Sequence, residues 1–277
     1  MTLRQTQHII TGEETSDGAG VHMKRLFPAQ GILQIDPFLL FDEFGSDDPD
    51  TYIGGFPDHP HRGFETVTYM LAGLMRHFDN RGNSGLLEPG GAQWMTAGRG
   101  LIHSEMPEQT DGLMRGFQIW INLPAAEKMV APRYQDYRPD QVPVKTLADG
   151  TVLKVVAGEA EGVSGPVNGV SRQPLLVDVT LPAGIAWRHK VDPAATVLAH
   201  VFEGGAEIGG RSLGTTQMAV LGDGDEIAIK AGPAGARVLI LAARPIGEPV
   251  VRAGPFVMNT RAEIEQAFMD YQAGRFG

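Results

Sequence analysis

The chain has 277 residues, 42% hydrophobic and 20% charged, an ordinary globular balance with room for two domains of usual size. Its 33 acidic residues outweigh 23 lysines and arginines for a net charge of −10, and no basic run of five occurs, which disfavours direct nucleic-acid binding because that affinity rests on clustered cations. Cysteine is absent, which removes disulfides, thiolate ligands, iron–sulfur clusters and cysteine nucleophiles together.

The first ten residues hold Arg4, Gln5, Gln7 and His8 where a secretion signal would need an apolar core. The longest apolar runs, such as 238–243, have strand length, so a cytoplasmic protein without a membrane span is expected. With 36 Gly and 19 Pro, and little helical periodicity before the end, the chain reads as all-β. Residues 36–44, an apolar patch closed by Asp42 and Glu43, read as a buried strand with a polar exit. Strands follow at 66–71, 74–79, 92–97 and 116–123, with turns at 80–85 and 86–91 and a kink at Gly98 and Gly100. The stretch 123–144 carries Pro124, Pro132, Pro139 and Pro143 and reads as a connection between domains. The β pattern resumes at 152–157, 175–181, 196–202, 217–221 and 236–241. The chain closes on a helix: Thr260 and Glu263 form a capping box, Ile264, Ala267, Phe268 and Tyr271 share a face, and Gly274 ends it. These elements predict an N-terminal barrel over 1–135 and a second barrel over 136–277 that ends in the helix.

The chemistry concentrates in 54–107. His59 and His61 form one pair with a single intervening residue, and His103 and Glu105 form another. Residues at i and i+2 of a strand share a face, so each pair aims two donors one way. Two such strands side by side bring three imidazoles and a carboxylate to one point. This N/O donor set suits Fe(II), Mn, Ni, Cu or Zn better than Ca or Mg, and leaves coordination positions open. Glu65, four residues from His61, has matching parity and is a second candidate carboxylate.

His59, His61 and Glu65 in H-x-H-x-x-x-E, with Gly98, Gly100 and His103 in G-x-G-x-x-H, form the two halves of the cupin signature. Ile53 and Gly98 stand where the general signature has Gly and Pro, and neither position supplies a donor atom. The strings HPHRGFETVTY (59–69), TAGRGLIHSEMP (96–107), NLP (122–124), GPFVMNT (254–260) and DYQ-x-GRFG (270–277) are more specific and resemble the pirin family along nearly the whole chain. The resemblance implies two tandem cupin (double-stranded β-helix) barrels with a C-terminal α-helix, and Fe(II) in the first barrel held by His59, His61, His103 and Glu105. In pirins the carboxylate comes from the second pair, which favours Glu105 over Glu65. The implied activity is a quercetin 2,3-dioxygenase-type reaction, in which O2 cleaves a flavonol with loss of CO and Glu105 serves as base. The alternative is a non-enzymatic, redox-sensitive regulator whose iron barrel docks on a transcription factor or metabolic enzyme. A monomer is expected.

Several residues admit two readings. Arg62 and Arg99 either orient an anionic substrate or bind turn carbonyls, and Gln93 and Met95 line the barrel interior or pack in it. Ser104 lacks the G-x-S-x-G elbow of a hydrolase. His189 is a vestige or a surface residue, and His8, His22, His77 and His200 have no spacing that suggests a site.

Overall fold

The two ends of the chain do not stay with their sequence neighbours. The computed structural model, which describes residues 1–276, divides into one unit of Met1–Glu13, Ala29–Gly31 and Gln141–Pro245 and another of Glu14–Pro28, Ile32–Asp140 and Ile246–Gly277. The expected division at 135/136 differs from this at both termini. The strand Thr6–Thr11 pairs with Gln217–Leu221, and the C-terminal helix Arg261–Gln272 belongs to the unit that carries the histidine pairs. Both units are built of strands, as expected, with α-helix only at the C-terminus and a few short 3-10 turns elsewhere among the described residues.

In the histidine-bearing unit a seven-stranded sheet faces a four-stranded one. The larger runs through Arg133–Tyr137, Ala92–Thr96, Phe64–Ala72, Met114–Asn122, Phe38–Ser46, Val21–Phe27 and Glu13–Asp17. The smaller runs through Phe56–His61, Leu101–Pro107, Met75–Asp79 and Ser84–Leu87. Phe38–Ser46 is buried on both faces for most of its length, so its two acids need partners: Arg25 grips Asp42 through Nε and Nη2 at 2.8 and 2.6 Å, and Arg115 Nη2 reaches Glu43 at 2.8 Å. The predicted connection 123–144 is not structureless. Its residues Arg133–Tyr137 add a strand to the edge of the large sheet, and Ser84–Leu87, predicted as turn, adds one to the small sheet.

The other unit is a nine-stranded sheet whose alternating inward side chains, among them Val177, Val179, Val197, Val201, Val238 and Ile240, are β-branched and fully buried. Each contributes on the order of 1.5–3 kcal/mol of burial. The helix closes on its predicted capping box, with Glu263 N donating to Thr260 Oγ1 at 3.3 Å and Thr260 N to Glu263 Oε2 at 2.8 Å. Its buried stripe is narrower than predicted: Ile264 and Ala267 are covered, while Phe268 and Tyr271 stay partly exposed against Phe256. Among the described residues no helix is long and apolar enough to cross a membrane.

Candidate metal centre

The antiparallel pair Phe56–His61 and Leu101–Pro107 sets the site. His103 lies opposite His59, and Leu101 opposite His61, so the three rings project together. A register shift between His103 and Glu105 places Phe56 opposite Glu105. The extra residue kinks the first strand, and the Pro57 carbonyl turns back to accept a 2.8 Å hydrogen bond from His59 Nδ1. A carbonyl only accepts, so Nδ1 carries the proton and Nε2 keeps the lone pair of the neutral ring.

His59, His61 and His103 bring one nitrogen each within 4.8 Å of the others, with ring centroids 4.6, 4.5 and 5.1 Å apart. Neither ring nitrogen of His103, 1% exposed, has a hydrogen-bond partner, and neither has His61 Nδ1. Burial first, then the neighbouring imidazoles, pushes both rings well below the ordinary histidine pKa, so they stand neutral with lone pairs free. A buried ring nitrogen without a partner is costly in a finished core, and a bare lone pair is what a neutral imidazole offers a metal. The donor set fits a bound metal ion.

Glu105, expected as the fourth donor, lies outside that three-histidine cluster and faces the cavity beside it. Thr68 Oγ1 donates to its Oε1 at 2.7 Å and Gln118 Nε2 to its Oε2 at 2.9 Å, both from the opposite sheet. Trp120, on the strand of Gln118, stands edge-on to His61 at 5.1 Å and carries the Arg252 guanidinium over its ring at 4.6 Å. Glu105, Gln118, Trp120 and Arg252 line, together with Leu40, Met23, Phe56 and Pro255, a cavity of about 400 Å3. Thr68, Gln118, Trp120 and Arg252 were not identified as site residues from sequence, since only the fold brings them beside the histidines.

The remaining candidates part from the cavity. Glu65 lies on Phe64–Ala72, on the opposite face from Thr68, and its Oε1 accepts from Thr96 Oγ1 at 2.7 Å. The strand of His61 ends at the Arg62–Gly63 turn and the chain crosses to the other sheet, so parity counted from His61 does not carry to Glu65. Gly63 makes this turn at φ +89°, where a Cβ would lie 2.0 Å from the Val257 carbonyl. Arg62 binds a turn carbonyl and Arg99 is exposed; Gln93 Nε2 donates to Asp136 at 3.0 Å and Met95 packs in the core. His77, directly opposite Glu105 on the neighbouring strand, is buried and donates through Nε2 to Asp136 Oδ2 at 2.8 Å. Gly85 leaves room for that pair, since a Cβ there would sit 2.3 Å from His77 Nε2.

Burial, opposed by Thr96 and Trp94, lifts the Glu65 carboxyl from 4.5 to about 7. Between those values the folded chain keeps a proton that the unfolded chain has lost, so this residue's contribution to stability falls as pH rises through that window. The full effect is on the order of 3 kcal/mol. In Glu65→Gln, which cannot ionise, the melting temperature is expected to fall less between pH 5 and pH 8 than in the native chain, as differential scanning fluorimetry in chelator would show. Parallel curves would refute the assignment.

In the second unit the corresponding pair, leading likewise into a long central strand, is Ala186–Lys190 on Glu226–Ala243. Trp187 faces Ile229 there and His189 faces Ile227. His189 stacks on Trp187 with centroids 5.2 Å apart, and its Nδ1 lies 3.8 Å from Glu161 Oε1. A single imidazole beside one carboxylate, with no second histidine on its strand, does not repeat the three-histidine cluster.

Comparisons with known proteins bear on the chain as a whole. Family models described as pirin and as the pirin C-terminal cupin domain match residues 20–121 and 176–277. A pirin-like protein of Caulobacter vibrioides is 49% identical over the full length of both chains. Human pirin is 39% identical, covering 97% of this chain and 92% of its own. A crystal structure of a quercetin 2,3-dioxygenase from Acinetobacter baumannii superimposes with a TM-score of 0.92 at 32% identity, covering 99% of each chain.

Proposed function

Because the chain belongs to the pirin family, with two cupin-type domains, we propose that the cavity is the active site of a metal-dependent dioxygenase that cleaves a flavonol such as quercetin with O2. His59, His61, His103 and Glu105 hold the metal, with Fe(II) placed first by the family resemblance. The observation that carries the reading is the cluster of three imidazoles, those of His61 and His103 with unpartnered nitrogens, beside a cavity of about 400 Å3 that His59, His61 and Glu105 line, a size typical of small-molecule sites. A protein-docking role needs no such cavity. The Acinetobacter baumannii relative supports the choice of substrate.

Bound there, the metal supplies Lewis acidity that lowers the pKa of a substrate hydroxyl, and open positions for O2. The protein's part is to position the substrate and take up its proton. Trp120, Phe56, Leu40 and Pro255 form an apolar slot that suits a flat ring system and keeps water from it. Both oxygens of Glu105 are held by Thr68 and Gln118, and each retains a lone pair. One of them accepts the proton of the acidic hydroxyl as the substrate binds. Ring opening then incorporates both atoms of O2 and releases one ring carbon as CO.

The test is anaerobic loading with Fe(II), then quercetin and air, following flavonol absorbance and CO. Turnover that disappears in His61→Ala is the expected result. Absence of turnover with Fe, Mn, Ni and Cu each shown to be bound would discard the dioxygenase reading in favour of the regulatory one.

A further inference from the structure

Arg62 follows His61 directly, yet its side chain turns away from the cavity, and side chain and backbone together gather four other segments. Its backbone joins the tail, with the Arg62 carbonyl accepting from Val257 N at 3.0 Å. Its guanidinium, 3% exposed, donates from Nε to the Arg99 carbonyl at 2.6 Å and from Nη1 to Asp270 Oδ2 at 2.8 Å, and lies over the Phe276 ring at 4.4 Å. Arg99 sits in the turn that leads into the strand of His103 and Glu105. Asp270, on the helix, is held in turn by Gln266 and Arg275 at 2.8 and 2.7 Å. The Arg62 hydrogen bond, ahead of those from Arg275 and Gln266, keeps its carboxyl well below the usual carboxylate range.

Phe276 completes the arrangement from the far side. It is buried against Phe256 and Tyr271, and its carbonyl accepts from Asn80 Nδ2 at 2.8 Å. Asn80 N donates to the Ile102 carbonyl at 2.9 Å, one residue before His103. The end of one ligand strand and the start of the other are therefore tied to each other and to the chain's C-terminus, at residues adjacent to His61 and His103.

We propose that Arg62 is the positioning residue of the metal centre: by tying the end of the His59–His61 strand to the turn before His103, with Phe276 closing over the tie, it fixes the spacing of the two donor pairs and so governs how firmly metal is held. This inference rests on the metal-site reading above. Backbone pairing already sets the strand register, but it leaves the tilt of the strand ends free, and these ends carry His61 and lead to His103. Lysine is no substitute, because reaching two acceptors at fixed angles while stacking on a ring requires a planar fork. Partners of this outer kind typically change metal affinity about 10–100-fold.

Co(II) is the probe. Its visible absorption in the loaded protein, and its rate of loss to excess EDTA well below the melting transition, are measured for the native chain, Arg62→Lys, Arg62→Met and Phe276→Ala. Leu87→Ala, a core truncation away from the tie, controls for lost stability. Both Arg62 variants are expected to release Co(II) roughly 10–100-fold faster with altered absorption bands, and Phe276→Ala to release it several-fold faster, while Leu87→Ala matches the native rate and spectrum. If an Arg62 variant does not fold, Phe276→Ala carries the test. Native release and native bands in all variants of the tie would overturn the proposal with the metal site intact. Failure of the native chain itself to take up Co(II) would remove the metal reading and this inference with it.

Discussion

A His103→Leu chain, after loading and desalting, is expected to retain less than about a tenth of the native metal content and yet, in chelator, to be no less stable than the native chain. Most buried substitutions destabilise, so this pairing of outcomes is diagnostic. The imidazole of His103 is buried with both nitrogens bare. A buried polar group without a partner costs about 1–3 kcal/mol, a cost that a bound metal offsets and leucine removes. The acid dependence follows the same logic. The folded chain holds His61 and His103 well below the ordinary 6.5, so below that value the unfolded chain takes up protons that these rings refuse, and stability falls as pH drops. Metal affinity falls in the same direction because the donors must stay neutral. His103→Leu removes one of these titrations and should flatten the metal-free chain's decline in stability between pH 7 and pH 5. Metal content measured by mass spectrometry, with melting curves in EDTA, checks both parts, and a variant that keeps its full metal content would end the ligand assignment.

The histidines were legible in sequence because the relevant geometry is local: i and i+2 on a strand is a two-residue fact, and it held for His59 with His61. Glu105 was harder. Parity admits Glu65 equally; the turn at Gly63 sends Glu65 to the other sheet, while Glu105 faces the cavity without joining the three-histidine cluster. The turn is visible in sequence as a glycine, but the change of sheet is not. Thr68 and Gln118 lie in strands read correctly as strands, while their role depends on the register of two sheets meeting across the interior. Arg252 lies more than a hundred residues from Trp120, whose ring it covers, and no local pattern announces such a return.

The exchange of termini was illegible for the same reason. Thr6–Thr11 finds its partner strand more than two hundred residues downstream, and nothing in its own composition says which sheet edge it will complete. The proline-rich stretch 123–144 misled in another way. Prolines punctuate it, but Arg133–Tyr137 holds none and supplies a proline-free edge strand, which also delivers Asp136 to His77 and Gln93.

Lys128, from that same stretch, has the largest expected effect on stability. It is 1% exposed, and its ammonium donates to the Gly63 carbonyl at 2.8 Å, to Asn122 Oδ1 at 2.7 Å and to the Val257 carbonyl at 3.0 Å. Three donors thus meet three neutral acceptors from three segments: the turn after the first histidine pair, the end of the strand of Gln118 and Trp120, and the tail strand paired with Arg62. Burial lowers the ammonium pKa to about 8, against the pull of Glu248 and Glu263, which marks the desolvation the three bonds must offset. Lys128→Met keeps the length and relieves that desolvation, worth on the order of 3 kcal/mol. It also leaves three buried acceptors bare at about 1–3 kcal/mol each. The second effect, about 6 kcal/mol at its midpoint, exceeds the first by about 3 kcal/mol, which lowers the melting temperature by roughly 6–12 °C. Because Lys128 does not line the cavity, metal content well below the transition should stay at the native level. Scanning calorimetry of the loaded and chelated variant checks this, and an unchanged melting temperature would show that the three acceptors find other donors once the ammonium is gone.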